Sequence, residues 1–268
     1  MVELTRAVRF FLGGCGETAP EAGRSIPSAI NGFSAFPAAR GLAHYYQLSV
    51  RCRGPVDPVT GYFLNIKHID QAVREHAIPL MGRRQAEHQV QMGRLMQQLI
   101  EVLGPPLDHT VVGLCLELSP HYHIEIRSDD MAHVLVTQQF EFSAAHRLHA
   151  TGLSAQGNRR IFGKCNNPSG HGHNYRVQVA LRCPIQEQGS AISIDKLDAM
   201  VDESAIAYLD HKHLNLDIPE FAQRNPSVEN IAILLYDRLK QPVAALDLHL
   251  DAVTVWETSR TMCTYRGT

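Results

Sequence analysis

Apolar and polar positions alternate with two different periods along the chain. In Tyr175-Arg-Val-Gln-Val-Ala-Leu181 apolar and polar residues alternate, with β-branched enrichment, and this predicts a strand beginning at or just before His171. Phe140, Phe142, Ala144 and His146 fall on one face of a second strand at period two. Ile231, Leu234, Leu235 and Leu239 instead repeat at helical spacing, with Asn225-Pro226 as N-cap and first helical residue. A helix over 84–103 presents Val90, Leu95, Met96, Leu99, Ile100 and Leu103 as its core face. In the second half the elements are expected near 133–146, 171–183, 195–208, 226–240 and 250–266. Strands flanking helices without βαβ alternation predict an α+β fold with antiparallel sheets.

The first half repeats this plan. Gly41–Val50 aligns with Gly170–Val179 at an offset of 129, Gly61–Asp70 with Gly189–Asp198, and Leu116-Glu-Leu-Ser119 with Trp256-Glu-Thr-Ser259 at an offset of 140. Two tandem domains follow, 1–128 and 132–268, joined by the polar linker Arg127-Ser-Asp-Asp130. The first copy keeps scaffold residues and loses candidate chemistry. Leu42 stands where His171 is and Phe36 where Cys165 is; no histidine near Phe10–Gly16 answers His146, and His44 and Glu117 are what remains. His121 and His123 form a further HxH with no third ligand in view and read as surface or oligomer-contact residues.

Composition narrows the function classes. A chain of 268 residues with 44% apolar content can bury one large core or two ordinary ones. Net charge of −2 and a pI near 6.7 give no electrostatic case for nucleic acid. No run approaches a membrane span, and Glu3 and Arg6 break the order of a signal peptide, so a cytoplasmic location is expected. The six cysteines lack CxxC spacing and read as reduced thiols.

The candidate chemistry gathers in Phe162-Gly-Lys-Cys-Asn-Asn-Pro-Ser-Gly-His-Gly-His-Asn-Tyr175. His171 and His173, two apart on a strand, project to one side, and His146 can join them if its strand pairs with theirs. Three neutral imidazoles with one open position suit a catalytic metal; the HxH pair alone would equally fit polar residues facing water. Cys165 beside such a cation can act as a base, and Asp210-His211 is an acid/base pair.

Phe142-Ser-Ala-Ala-His146, the 162–175 segment, Leu209-Asp-His-Lys-His-Leu-Asn215, Asn225-Pro-Ser-Val-Glu-Asn230 and Val255-Trp-Glu-Thr-Ser259 occur in an order and spacing that resembles the 6-pyruvoyl-tetrahydropterin synthase family. The resemblance implies two tandem tunnelling-fold domains, each a four-stranded antiparallel sheet with two helices on one face. It implies Zn2+ on His146, His171 and His173, Cys165 as general base, and Asp210 and His211 completing the proton relay. Glu257 would bind the pterin, with Ser227 and Glu229 also contacting substrate; Val228 stands where a second threonine is usual. His149 and His213 carry no assigned role.

The implied reaction converts 7,8-dihydroneopterin triphosphate to 6-pyruvoyl-tetrahydropterin with loss of triphosphate. The spacing from Cys165 to His171 resembles the pyruvoyl enzyme, whereas the ending from Trp256 to Gly267 resembles the bacterial 6-carboxytetrahydropterin synthase of queuosine synthesis. A non-catalytic pterin-binding assembly protein is the third reading. The resemblance also implies a homo-oligomer, built from three two-domain chains or a multiple, with no nucleic-acid or membrane partner.

Overall fold

The computed structural model describes residues 1–13, 43–85, 91–185 and 194–267, and the chain divides into two compact units. The first comprises Met1–Val136 with Cys183–Ala191, and the second Thr137–Arg182 with Ile192–Thr268. Phe36, Leu42 and Val90, and half of the repeat at Gly189–Asp198, lie outside the described residues.

In the first unit β1 (Val2–Leu12) and β2 (His44–Gly54) precede the helices α1 (Ile66–Ala72), α2 (Ile78–Gln85) and α3 (Met92–Leu103). Then come β3 (Val111–Ser119) and β4 (Tyr122–Arg127). The antiparallel order is β1-β2-β3-β4, continued by the opening residues of β5 (Asp130–His146). Alternation sends Leu48, Val50, Leu114, Leu116, Ile124 and Ile126 to one face, where they are buried, and α3 packs on β3 and β4 with Leu95, Met96, Leu99 and Leu103. The helix expected over 84–103 is not continuous: Gln91 is extended and caps a helix that starts at Met92. The polar stretch at 127–130 is a tight turn between β4 and β5, closed by a bidentate Arg127–Asp129 ion pair, rather than a linker.

The second unit begins with the rest of β5, followed by α4 (Ala155–Phe162), β6 (His171–Pro184), α5 (Ile194–Val201) and α6 (Ala207–Leu209). After β7 (Lys212–His213) and α7 (Leu214–Asp217) come α8 (Val228–Ala244), β8 (His249–Thr258) and β9 (Thr261–Tyr265). The order is β5-β6-β8-β9, with β7 adding a short parallel pairing to β5 through Ala144 and Ala145. Val177, Val179, Leu181, Val253 and Val255 form the buried sheet face, and α8 packs on β8 and β9 through residues that include Ile231, Leu235 and Leu239. The cap of α8 is Ser227, whose hydroxyl accepts from the Asn230 amide at 3.5 Å; Asn225-Pro226 stays outside the helix. Asn225 instead receives the His149 amide at 2.7 Å, so its side chain holds a loop.

The units share details that composition would not produce. In the first, Leu48 faces Leu116, Val50 faces Leu114, and a bulge after Arg51 leaves Cys52 opposite Val111. In the second, Val177 faces Val255, Val179 faces Val253, and a bulge after Ala180 leaves Leu181 opposite Leu250. Phe10 stacks on Tyr46 as Phe142 does on Tyr175. Asp70 holds Arg6 of β1 through two bonds of 2.9 Å, and Asp198 holds Gln138 of β5. Each unit also has a π-helical turn, at Val73–Ala77 after α1 and at Asp202–Ile206 after α5, a rare feature.

This register corrects the alignment of Glu117 with Glu257. With Leu116 at the position of Val255, Glu117 matches Trp256, faces away from the core and bonds to Gln47. Leu118 takes the place of Glu257, so the first unit lacks that carboxylate as well.

Candidate functional site

The three histidines converge. His146 ends β5 and is fully buried, while His171 and His173 open β6. One ligand atom from each lies within 4.8 Å of the other two. Gly170 makes the entry into β6 close: it has φ +71°, and a Cβ there would stand 2.9 Å from the His146 carbonyl oxygen and 2.8 Å from His213 Nε2.

The hydrogen-bond pattern fixes the chemistry of His146. Its Nδ1 lies 2.7 Å from the Pro226 carbonyl, which can only accept, so Nδ1 carries the proton and Nε2 presents a lone pair. That Nε2 is 3.1 Å from His171 Nε2. Burial pushes the His146 pKa down to about 4, with the neighbouring His171 and His173 adding to the effect against the Pro226 bond. Burial also lowers His173. Both rings are therefore neutral at neutral pH, the form that ligates a metal. His173 Nε2 and His171 Nδ1 are buried without a hydrogen-bond partner. Glu257 on β8 adds a carboxylate, with Oε1 3.4 Å from His146 Nε2 and 3.7 Å from His173 Nε2.

Cys165 lies outside this cluster, half-buried in the 3-10 turn Gly163–Asn166 that follows α4. Its carbonyl accepts from the Leu148 amide at 2.9 Å, which ties the turn to the segment just beyond His146. Asn166 extends that tie, receiving Arg147 Nε on its carbonyl at 3.3 Å and meeting His149 Nδ1 at 2.9 Å. Before the turn, the buried Asn158 anchors α4: its Oδ1 accepts from the Ala150 amide at 2.8 Å and its Nδ2 reaches the Ala150 carbonyl at 2.9 Å. Asn158→Ala should lower stability by roughly 1–3 kcal/mol, because it leaves the part-buried Ala150 amide and carbonyl without their side-chain partner. Urea unfolding followed by circular dichroism checks this, with the exposed Arg159→Ala, expected within about 0.5 kcal/mol of the parent, as control.

Asp210 and His211 form a hydrogen-bonded pair tied to β5. Asp210 Oδ1 accepts from the Ser143 amide at 2.8 Å and Oδ2 lies 2.7 Å from His211 Nδ1, while the His211 amide donates to the Ser143 carbonyl at 2.7 Å. The Ser143 amide, aided by His211, holds the Asp210 carboxyl below the usual range. The His211 side chain is 83% exposed, with φ at +56°, beside an open hollow lined by Ser143, Gly172, His173 and Asn174. Ser227 spends its hydroxyl on capping α8, and Glu229 lies in the first turn of that helix; burial raises the pKa of the Cys263 thiol and the charge of Glu229 adds to it. In the first unit His44 is an exposed residue at the start of β2.

Sequence reasoning missed the Pro226 carbonyl, which sets the His146 tautomer, and the Tyr175 hydroxyl, 3.3 Å from the same Nδ1. It also missed the asparagine clamps. Asn215 binds both the amide and the carbonyl of Arg147, at 2.7 and 2.9 Å, and the frequency of asparagine in the segments around the histidines was the available signal.

A mixed α/β chain with antiparallel sheets and a convergent histidine triad, His146 buried and His171 and His173 half-buried, thus defines the class. Residues 135–268 match the family model described as 6-pyruvoyl tetrahydropterin synthase. The 6-pyruvoyl tetrahydrobiopterin synthase of Homo sapiens is 38% identical over 133 residues, covering 49% of this chain and 90% of that protein. That of Drosophila melanogaster is also 38% identical over 133 residues, covering 79% of its length. The solved 6-pyruvoyl tetrahydropterin synthase of Caenorhabditis elegans is 36% identical, covers 51% of this chain and 96% of its own, and has a TM-score of 0.48. The chain belongs to the 6-pyruvoyl tetrahydropterin synthase family.

Proposed function

We propose that the chain converts 7,8-dihydroneopterin triphosphate to 6-pyruvoyl-tetrahydropterin with elimination of triphosphate, a carbon–oxygen lyase reaction carried by the second unit. The observation that carries this reading is the convergence of the buried His146 with the half-buried His171 and His173 within the region of family similarity. The triad fits a divalent metal: burial lowers the pKa of His146 and of His173, and His173 Nε2 is buried with no hydrogen-bond partner. Zn2+ is the ion proposed for it, since three imidazoles leave the open position of a catalytic zinc. When bound, it would polarise substrate side-chain oxygens and acidify the adjacent C–H.

The remaining work falls to the chain's own groups. Cys165 accepts the proton from carbon. His211, oriented through Nδ1 by Asp210, returns a proton from its exposed Nε2. Glu257 receives the pterin's 2-amino and N3 hydrogens, a bidentate pairing that suits a carboxylate. Glu229 and Ser227 are the further substrate contacts, Ser227 offering what its cap leaves free.

The first unit, residues 1 to about 128, is proposed to be a degenerate copy of the same four-stranded tunnelling-fold domain, retained for assembly. The shared bulges, register and π-helical turn support that origin. Three chains, or a multiple, would supply the sheet edges with partners. The 83% exposure of the His211 side chain favours its serving Cys165 of another chain.

Incubation with 7,8-dihydroneopterin triphosphate should release triphosphate, and removal of metal by a chelator should abolish the release. Protein that binds the substrate and releases none would establish the non-catalytic pterin-binding alternative instead.

A further inference from the structure

A triphosphate leaving group carries several negative charges, which Cys165 and Glu257 cannot balance. The hollow beside the Asp210–His211 pair has the parts to hold them. It is lined by Ser143, Gly172, Asn174, His211 and Lys212, and its volume of about 560 Å3 falls within the roughly 300–1,000 Å3 of small-molecule sites. His173 lines it too, so the hollow adjoins the histidine triad.

Its donors are set in place by backbone pairing. Lys212 is fixed opposite Ala144 of β5, and no ion pair occupies its ammonium among the described residues. Asn174 Oδ1 accepts the Ser143 hydroxyl at 2.8 Å, which orients the amide and leaves its N–H groups to donate. The carboxylates that would oppose an anion are already committed. Asp210 is held by the Ser143 amide and His211, and Asp217 Oδ2 accepts from the His213 amide at 2.7 Å. Gly172 leaves the lining bare between these groups: a Cβ there would meet only the Ala144 carbonyl oxygen, at 3.7 Å, so packing within the chain does not require glycine. The first unit shows the reverse. Matching its Phe10–Tyr46 stack to Phe142–Tyr175 sets Phe11 at Ser143, Tyr45 at Asn174 and Ala43 at Gly172. Phe11 and Tyr45 form an edge-on aromatic pair with ring centroids 5.5 Å apart, so the unit without the triad has an apolar pair where the unit with it has polar groups.

We propose that this hollow is an anion subsite that seats the substrate's triphosphate, with the Lys212 ammonium and the Asn174 amide as donors and Gly172 as the bare surface against which phosphate oxygens lie. The inference rests on the proposed reaction and adds the place where the leaving group is held. An ammonium on a flexible stem meets phosphate oxygens as a point charge, and a residue without a side chain lets them approach the backbone.

Inorganic triphosphate titrated calorimetrically into the full chain is the test. The parent should bind it at a single site per chain, and Lys212→Met and Gly172→Ala should each bind it at least about tenfold more weakly. Lys240→Met removes the same charge from an exposed position on α8 and should bind like the parent. His171→Ala should also bind like the parent, because the subsite does not need the metal. Loss of binding in His171→Ala would assign the triphosphate to the zinc and overturn the subsite. Equal weakening by Lys212→Met and Lys240→Met would reduce the effect to net charge and overturn it as well, as would a parent that binds no triphosphate. Circular dichroism checks the fold of each variant, and Lys212→Met decides if Gly172→Ala does not fold. Triphosphate bound in the expected pattern by a chain that leaves 7,8-dihydroneopterin triphosphate intact would overturn the proposed reaction and support the subsite, so the two failures are told apart.

Discussion

His171→Ala should take the bound zinc from one equivalent per chain to near none and reduce turnover by at least about a thousandfold. At the start of β6 His171 Nε2 approaches His146 Nε2 to 3.1 Å, so losing the ring removes one of three convergent donors. Two imidazoles cannot hold a metal as three do, and a charge-stabilising ion contributes several kcal/mol to the transition state. His44→Ala should leave metal content unaltered, because His44 is exposed at the start of β2 and the matching carboxylate position holds Leu118. Metal analysis of the three proteins checks this. Two equivalents in the parent would contradict a degenerate first unit.

Cys165→Ala should behave differently, keeping its zinc while losing turnover by about a hundredfold to ten-thousandfold, the range for a positioned base. Cys165 is outside the histidine cluster, so in its proposed role as base its thiol would contribute to the transition state and not to metal affinity. The turn that carries it is fixed through backbone groups, with the Cys165 carbonyl bound to the Leu148 amide, so losing the sulfur should leave the turn in place. Near-normal rates in Cys165→Ala would transfer the base role to His211. Refolding Cys165→Ala together with His211→Ala should recover some activity if the two groups meet between chains. Light scattering should then give three times the 29.8 kDa chain mass or a multiple, and an active monomer would exclude that assembly.

Much of this was legible in residue patterns. Period two in Phe142, Ala144 and His146, and in Tyr175, Val177 and Val179, placed two strands and their buried faces, because a sheet with one covered face must alternate. The same periodicity brought the three histidines to one side. Boundaries were less legible. Asn225-Pro226 and Ser227 offer competing N-caps, and the choice fell to Ser227 once Asn225 was drawn to the His149 amide, a contact across 76 residues that no local pattern reports. Gln91 interrupts what looked like one helix because apolar spacing cannot register a single extended residue.

The partners of the site were the least legible. The Pro226 carbonyl is a backbone atom, so no residue type announces that it sets the His146 tautomer. The match of Glu117 to Glu257 failed by one residue, and on a strand one residue changes the face: Glu117 points to Gln47 and Leu118 takes the functional position. Only the paired register, with its bulges after Arg51 and Ala180, resolves that step.

The central claim is the conversion itself, and mass identification of the product formed from 7,8-dihydroneopterin triphosphate by the purified, zinc-loaded chain tests it most directly. The account predicts 6-pyruvoyl-tetrahydropterin and free triphosphate, both abolished in His171→Ala. A 6-carboxytetrahydropterin product, or intact substrate recovered after prolonged incubation with the zinc-loaded chain, would contradict it.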